Sequence, residues 1–442
     1  MALLANLLGP RKAFDGGSFL PAHKSATAAR PIETLPVDGP LYVPLTARRD
    51  LRTVPVVSGG DHVLRGQRLS RSIGEDSIPA HAPVSGRVVA LDRAWTPYDG
   101  YLPCAVLEPD GREDAVPQRF GWEDESFIVQ LADKGVVCPS PRAPLHVLVK
   151  EAVAAGVTEL IVNAMETEPY LTTDHRILIE EPGRVIDATC ELADALGVSR
   201  AILALPFRHR RVVKRMRAEA AGRHVEVFPL PDVYPQCHPV LLVKSLLDRE
   251  VAPGGNVLDE GVIVLPLAAV RGAAEALLDD RAVTHAVLTV AGDAVVRPGI
   301  FRVAVGTPMR DVAQYVGLTA PVTGVVCGGP LTGVALGNEH AVVTAEVPAL
   351  LMFATTHHAA PTSCSHCGWC VEDCPVGVDP TALMNLESER HCHVMERQQL
   401  DACIACGLCS HVCPARLPLA ETIRRVRMRH VLKKDTAGAA ES

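Results

Sequence analysis

Two runs of cysteines near the carboxyl end of the chain have the residue type and spacing of iron–sulfur ligands. In each run, spacers of two, two and three residues separate four cysteines, and a proline follows the fourth. The runs are Cys364, Cys367, Cys370, Cys374 and Pro375, then Cys403, Cys406, Cys409, Cys413 and Pro414. Thiolates at this spacing hold [4Fe–4S] clusters, and the proline turns the chain away after the last ligand. The pattern predicts two clusters that carry electrons one at a time.

The ligand sets are expected to cross between the two runs. In bacterial proteins with two such clusters, the fourth cysteine of each run ligates the cluster of the other run. The predicted sets are Cys364, Cys367, Cys370 and Cys413 for cluster 1, and Cys403, Cys406, Cys409 and Cys374 for cluster 2. Paired zinc sites also use cysteines two residues apart, but they do not explain a third and fourth cysteine at identical offsets in both runs. Cys392, between the runs, is either a replacement ligand or a bystander thiol.

The composition is that of a folded protein in a reducing compartment. The chain has 442 residues, enough for two to four domains, and 48% of them are hydrophobic. The formal net charge is −8 with both signs mixed along the chain, which argues against nucleic-acid binding. No uncharged apolar stretch reaches the length of about 18 residues that spans a bilayer. We therefore expect a cytoplasmic protein, peripheral on the cytoplasmic face of the inner membrane if it docks on a membrane partner.

The segments that must position the cysteines differ in pattern along the chain. Residues 1–118 combine short β-branched runs with glycine turns, which is typical of a small β-barrel or sandwich. In residues 119–282 short apolar strands alternate with helical stretches, which predicts an α/β domain with a largely parallel sheet. Residues 283–350 begin with another strand. Residues 355–432 hold the 39-residue cysteine repeat, and residues 433–442 are predicted to be a flexible tail.

Several short motifs elsewhere in the chain occur in a characteristic order. At the amino end they are Gly16-Gly17-x3-Pro21-x-His23-Lys24, Gly60-Asp61-x-Val63-x2-Gly66-Gln67 and Pro79-x-His81-Ala82-Pro83-x-Ser85-Gly86. Farther on they are Asn163-Ala164-x-Glu166-x-Glu168-Pro169-Tyr170, Tyr234-Pro235-Gln236, Thr289-Val290-x-Gly292, Gly306-Thr307-Pro308 and Gly328-Gly329-Pro330-x2-Gly333. With the cysteine runs, this order resembles the RnfC family over residues 16–425. RnfC is the peripheral NADH-side subunit of the Rnf electron-transport complex.

The resemblance implies a multidomain α/β plus β architecture with four parts. They are a barrel-sandwich (lipoyl-like) domain, an α/β domain like the flavoprotein subunit of complex I, a small SLBB-type β-grasp domain and a two-cluster ferredoxin-like helical domain. The related cobalamin reductase carries its barrel-sandwich domain after the clusters, so the order found here favours RnfC. The implied partners are other Rnf-type subunits or a soluble electron carrier such as ferredoxin or a flavoprotein.

The resemblance also implies FMN and NADH in the α/β domain, where backbone N–H groups of a glycine-rich loop cradle the phosphate. The matching place is residues 135–144, which contain one glycine and the prolines Pro139, Pro141 and Pro144. Each proline removes an N–H donor and fixes φ. We expect that this loop cannot make the usual phosphate cradle.

The acidic part of the implied flavin site is retained as Asn163, Glu166 and Glu168. One interpretation is that these residues still position a flavin or nucleotide whose phosphate finds another partner, such as Arg142. The other is that they are remnants that cap a helix and satisfy local backbone groups. The second is favoured, because losing the donors affects binding more than keeping the acceptors helps it.

The sequence therefore predicts an RnfC-like iron–sulfur subunit that relays electrons between a soluble carrier, on the NADH or ferredoxin side, and partner subunits. One alternative is an NADH dehydrogenase with FMN held in an unusual way. Another is a soluble reductase that feeds a corrinoid or microcompartment enzyme. No Ser/His/Asp or Cys/His set predicts a separate catalytic centre.

Overall fold

The structure, a computed structural model, describes residues 14–118, 126–338, 340–355, 360–386 and 394–438, without the side chains of residues 394–396 and 430–438. Within these ranges the chain is a mixed α/β protein of several parts, with three larger sheets, two two-stranded sheets and a helical carboxyl-terminal part. None of the described helices has the length and apolar character needed to cross a membrane.

An antiparallel sheet in the order β2-β7-β6-β4 dominates the amino-terminal part. The strands here are β1 (Ile32–Thr34), β2 (Leu41–Pro44), β3 (Arg52–Pro55), β4 (His62–Val63), β5 (Ser70–Ile73), β6 (Gly86–Thr96) and β7 (Gly100–Pro109). β6 and β7 pair over almost their whole length. The tip of this long hairpin, residues 97–99, reaches the α/β part of the molecule. Leu41, Val63 and Leu107 are buried members of the hydrophobic core that packs against the sheet.

The central part contains a parallel sheet in the order β12-β11-β10-β13, which confirms the predicted α/β fold. Its strands are β10 (Glu159–Asn163), β11 (Arg200–Pro206), β12 (Val225–Leu230) and β13 (Val262–Pro266), preceded by the small hairpin of β8 (Val137–Pro139) and β9 (Arg142–Pro144). The helices are α1 (Phe127–Asp133), α2 (Leu145–Ala154), α3 (Thr173–Glu180), α4 (Pro182–Leu196), α5 (Arg210–Glu219), α6 (Pro239–Leu247) and α7 (Leu267–Leu277).

The centres of β10, β11 and β13 are apolar and buried because helices cover both faces of the sheet. Along β10, Leu160 and Val162 pack into one core, and Ile161 between them packs into the core on the opposite face. The carboxyl ends of the parallel strands share one edge. Asn163, the last residue of β10, therefore starts the acidic segment at the edge where ligands of such sheets ordinarily bind.

A six-stranded sheet in the order β1-β15-β14-β18-β16-β17 follows. Its later strands are β14 (His285–Ala291), β15 (Gly299–Ala304), β16 (Gly324–Cys327), β17 (Val334–Ala335) and β18 (Ala349–Phe353), with helix α8 (Met309–Val316) after β15. The edge strand β1 comes from the amino-terminal part and pairs in parallel with β15. This pairing joins residues about 270 positions apart, and the sequence patterns do not indicate it.

Short helices form the carboxyl-terminal part. They are α9 (Trp369–Glu372), α10 (Pro380–Asn385), α11 (Val394–Ala402), α12 (Leu408–His411) and α13 (Leu419–Gly438). Asp379 caps α10 by accepting from the backbone N–H groups of Thr381 and Ala382. Packing of α10 against α13 encloses a small core. Its buried members are Val378, Leu383, Leu386, Leu400, Ile423 and Val426.

Candidate electron-transfer site and the adjoining acidic segment

The eight cysteines of the two runs line two separate cavities. The first, of about 210 Å³, is lined by Cys364, Cys367, Cys370 and Cys413. The second, of about 30 Å³, is lined by Cys374, Cys403, Cys406 and Cys409. Each cavity thus brings three cysteines of one run together with the fourth of the other. Across the described ranges, no three His, Cys, Asp or Glu side chains are grouped closely enough to hold a single metal ion.

The two runs share one backbone conformation as well as one spacing. His366 and Ala405, at equivalent positions, both have a φ of 53°. Gly368 and Gly407 follow with φ values of 80° and 82°, and each precedes a short helix. Glycine is suited to this left-handed conformation, because a Cβ would be strained there. The local sequence therefore builds the same thiol-bearing loop twice.

The two loops differ in exposure. Cys367 is exposed, and the neighbouring Trp369 keeps 53% of its surface accessible. Leu408, which occupies the position of Trp369 in the second run, is only 1% exposed. Burial raises the pKa of the Cys406 and Cys409 thiols to about 12. The first cavity opens on the surface, whereas the second lies against the rest of the protein.

Residues that are distant in the sequence contact the second loop. The Tyr234 hydroxyl donates a hydrogen bond to the carbonyl of Cys406, and Tyr234 itself is 1% exposed. Gly407 lies so close to residue 331 that an added Cβ would stand 2.7 Å from the Leu331 carbonyl oxygen. In the sequence Tyr234 stands out only as part of a family motif. Its role could not be derived there, because its partner lies 172 residues away.

The glycine pair near the amino end packs against the first run. The Gly17 N–H donates to the carbonyl of Asp373, 2.9 Å away. A Cβ at Gly16 would lie 2.6 Å from the carbonyl oxygen of Cys374. The close approach of this backbone gives the Gly16-Gly17 motif a packing role beside a predicted ligand of cluster 2. Cys392, the other thiol considered as a ligand, lies outside the described residues.

A hairpin stands at the place of the implied glycine-rich loop. Strands β8 and β9 pair from Val137 opposite Pro144 to Pro139 opposite Arg142. The one glycine of the segment, Gly135, faces the amino-terminal part, since a Cβ there would lie 2.9 Å from the Pro79 carbonyl oxygen. The segment thus presents no row of free N–H groups of the kind that cradles a phosphate.

Arg142, the alternative phosphate partner, is engaged by the tip of the β6–β7 hairpin. Its guanidinium forms an ion pair with Asp99 and lies 4.5 Å from the centre of the Tyr98 ring. A second carboxylate, that of Glu346, is 3.7 Å away. The Arg142 carbonyl accepts a hydrogen bond of 2.7 Å from Arg48. A phosphate would have to compete with two carboxylates for this side chain.

Glu166 caps helix α3 from inside the protein. Its carboxylate accepts from the backbone N–H groups of Asp174 and His175, at 3.1 and 3.4 Å. Lys24 donates to the Glu166 main-chain carbonyl. Burial raises the pKa of Glu166 and lowers that of Lys24.

Asn163 and Glu168 also bind backbone groups of the chain itself. Asn163 donates to the Cys237 carbonyl at 2.8 Å and accepts from the Met165 N–H at 3.1 Å. The Glu168 carboxylate accepts from the Leu331 N–H at 3.0 Å and from the Thr332 hydroxyl. These contacts, the hairpin and the engaged Arg142 do not fit the phosphate and ribityl chain of a flavin bound in the usual way.

Comparison with family models places two parts of the chain. Residues 12–112 match the RnfC barrel sandwich hybrid domain. Residues 142–272 match the Nuo51 FMN-binding domain, and this match begins at Arg142, after most of the altered segment. The amino-terminal sheets described above therefore belong to a barrel-sandwich hybrid domain.

Similar proteins occur in several bacteria as the C subunits of ion-translocating oxidoreductase complexes. The one from Rhodobacter capsulatus is 30% identical over 395 residues, which cover 86% of this chain and 76% of the relative. The C subunit of the proton-translocating ferredoxin:NAD(+) oxidoreductase complex of Clostridium ljungdahlii is 28% identical, with 84% of each chain covered. The corresponding protein of Salmonella arizonae is 29% identical, but this chain spans only 57% of it.

Among solved structures, a chain of the NAD+-reducing [NiFe]-hydrogenase in the H2-reduced state is 19% identical, with a TM-score of 0.47. That alignment covers 64% of this chain and 54% of the hydrogenase chain.

Proposed function

The chain belongs to the RnfC family, the C subunits of ion-translocating oxidoreductase complexes, and from this membership we propose its role. It is an electron-transfer subunit of an Rnf-like complex and relays electrons through two [4Fe–4S] clusters. We also propose the four-domain division at residues 118, 282 and 350. The third domain is then of the SLBB type and the fourth is ferredoxin-like.

One observation carries the proposal, namely the crossed grouping of the thiols around two cavities. Bound there, each cluster would supply reversible one-electron transfer. Cys364, Cys367, Cys370 and Cys413 would hold cluster 1, and Cys403, Cys406, Cys409 and Cys374 would hold cluster 2. His366 lines the first cavity, and its backbone N–H donates to the Cys364 sulfur at 3.4 Å, a hydrogen bond that can tune the potential of the cluster.

The surroundings of the cavities support a path for the electrons. Cluster 2 would lie against the α/β domain through Tyr234 and against the third domain through Leu331, and cluster 1 would lie at the surface beside Trp369. Electrons would therefore pass between a partner on the α/β side and another partner at the exposed rim. These partners are a soluble carrier and other subunits of the complex, on the cytoplasmic face of the membrane. The couple in the name of the Clostridium ljungdahlii relative, ferredoxin and NAD(+), is the one proposed for the whole complex.

We propose that this chain relays electrons without oxidising NADH itself. The support is the misfit described above, in which Glu166, Glu168 and Asn163 bind backbone groups and Arg142 pairs with Asp99. Electrons would then enter from another protein. Because residues 142–272 match an FMN-binding domain, the test that follows also measures flavin.

The test is anaerobic purification followed by analysis of iron, acid-labile sulfide, zinc and flavin. We expect about eight irons and about eight sulfides per chain, and little FMN. Two zinc ions per chain without sulfide would contradict the cluster assignment. Stoichiometric FMN that NADH bleaches would contradict the relay but leave the clusters in place.

A further inference from the structure

Cationic and polar side chains from outside the cysteine runs donate hydrogen bonds to the carbonyl groups of the second loop. Arg427 donates to the Cys403 carbonyl at 2.8 Å, and Arg424 donates to the Ala405 carbonyl at 3.4 Å. Both arginines lie on α13 and are half-buried. With the hydrogen bond from Tyr234 to Cys406, three of the four carbonyls between 403 and 406 accept from a side chain.

The equivalent carbonyls of the first loop receive no such hydrogen bond from the part of the chain that the structure describes. Within the described residues, no side chain donates to the carbonyls of Cys364, His366 or Cys367, the counterparts of residues 403, 405 and 406. Carboxylates lie near this run, since Asp379 lines the first cavity and Glu372 is exposed on α9. The two loops therefore share a backbone conformation and differ in the side chains that donate to their carbonyl groups.

This difference bears on the energy of an added electron. A [4Fe–4S] cluster with four thiolates is an anion, and its reduction from the 2+ to the 1+ core adds one more negative charge. Burial disfavours that charge, and nearby cations and hydrogen bonds favour it. We infer that Arg424 and Arg427 raise the reduction potential of cluster 2 and so offset the effect of its burial. The inference rests on the proposed function, because it requires that the clusters are present.

The test is a redox titration of the cluster-loaded protein, followed by electron paramagnetic resonance, with dithionite as the reductant. In Arg427→Gln we expect the ratio of reduced to oxidised cluster 2 at a fixed potential to fall about tenfold, a shift of 59 mV for a one-electron couple. Arg424→Gln should shift it in the same direction by less, because its hydrogen bond is longer. Cluster 1 should titrate as in the unaltered protein.

Two further variants separate charge from structure. Arg427→Lys keeps the positive charge, so the reduction potential of cluster 2 should lie closer to that of the unaltered protein than to that of Arg427→Gln. Arg425→Gln removes a charge from the same helix, but its guanidinium contacts Glu421 and Thr422 and should leave cluster 2 almost unchanged. If Arg427→Gln loses iron, the reduction potentials of cluster 2 in Arg424→Gln and Arg427→Lys test the inference instead.

The outcomes are distinguishable. Protein without iron and sulfide would end the proposed function. Intact clusters whose potentials do not respond to Arg424→Gln and Arg427→Gln would overturn the inference alone. So would an equal shift in Arg425→Gln, because it would show a diffuse effect of net charge.

Discussion

The two cysteine runs have the same local structure but lie in different surroundings. Residues 364–374 and 403–413 share spacing, left-handed φ values and a short helix after a glycine. The first loop is open to solvent beside Trp369. The second is covered by Tyr234, Leu331 and α13. The comparison shows that local sequence builds the ligand loop, whereas distant residues decide how exposed and how charged its surroundings are.

The two clusters proposed for these loops would then be unlike redox centres, although their ligands come from a duplicated motif. An exposed centre can exchange electrons with a partner protein, and a buried one is insulated and held at a fixed position against its neighbours. Four matched pairs of substitutions test this division, in order of decreasing effect.

The crossing of the ligands gives the largest effect. In the double variant Cys374→Ala with Cys403→Ala, both losses affect cluster 2, so about four of about eight irons should remain. In Cys374→Ala with Cys364→Ala each cluster loses one ligand, and iron should fall in both. Iron and sulfide analysis after anaerobic purification measures this. The reverse pattern would show that each run holds its own cluster.

The next comparison concerns the residue after each glycine. Leu408→Ala removes a side chain that is 1% exposed and should lower the free energy of unfolding by about 2–5 kcal/mol. Trp369→Ala removes one that is 53% exposed and should cost about 0.5 kcal/mol or less, because it leaves no buried cavity. Urea unfolding of the cluster-loaded protein gives both values. Equal losses would refute the division into a covered and an open loop.

Alanine at the two glycines is a third test. Both residues have φ near 80°, so each substitution carries the left-handed strain of about 1–2 kcal/mol. Gly407→Ala also drives a Cβ to 2.7 Å from the Leu331 carbonyl oxygen, whereas no atom of the described residues lies within 4 Å of a Cβ at Gly368. We expect Gly407→Ala to be the more destabilising by about 1–3 kcal/mol. Thermal unfolding of the two variants would reveal no difference if the second loop were in fact uncovered.

The smallest effect is expected from the hydrogen bond to the second loop. Tyr234→Phe removes the donor to the Cys406 carbonyl and should lower the free energy of unfolding by about 1 kcal/mol. Tyr101→Phe, on an exposed side chain, is the matched control and should change it very little. Because the Tyr234 hydrogen bond reaches the loop of cluster 2, Tyr234→Phe should lose iron from cluster 2 faster under oxygen. The rate of loss from cluster 1 should stay the same. Faster loss of cluster 1 would contradict the assigned contact.

Much of the fold could be predicted from patterns along the chain. The parallel sheet was expected because short apolar runs alternate with helical stretches, and the structure confirms this α/β part. The pairing of β1 with β15 could not be predicted, since a three-residue strand carries almost no pattern and its partner is remote. The same holds for the insertion of Tyr98 and Asp99 beside Arg142, which depends on the length of the β6–β7 hairpin and on how two domains pack.

For the candidate site, the division between local sequence and tertiary packing is clear. Local sequence is sufficient for the residue types and spacing of the thiols, the glycines that turn the loops and the loss of N–H donors in residues 135–144, because each of these depends on a few consecutive residues. Tertiary packing alone brought Arg427 and Tyr234 to the second loop and left Trp369 exposed. Those contacts join residues that are remote in the chain, and burial and charge at a site are sums over everything that packs around it.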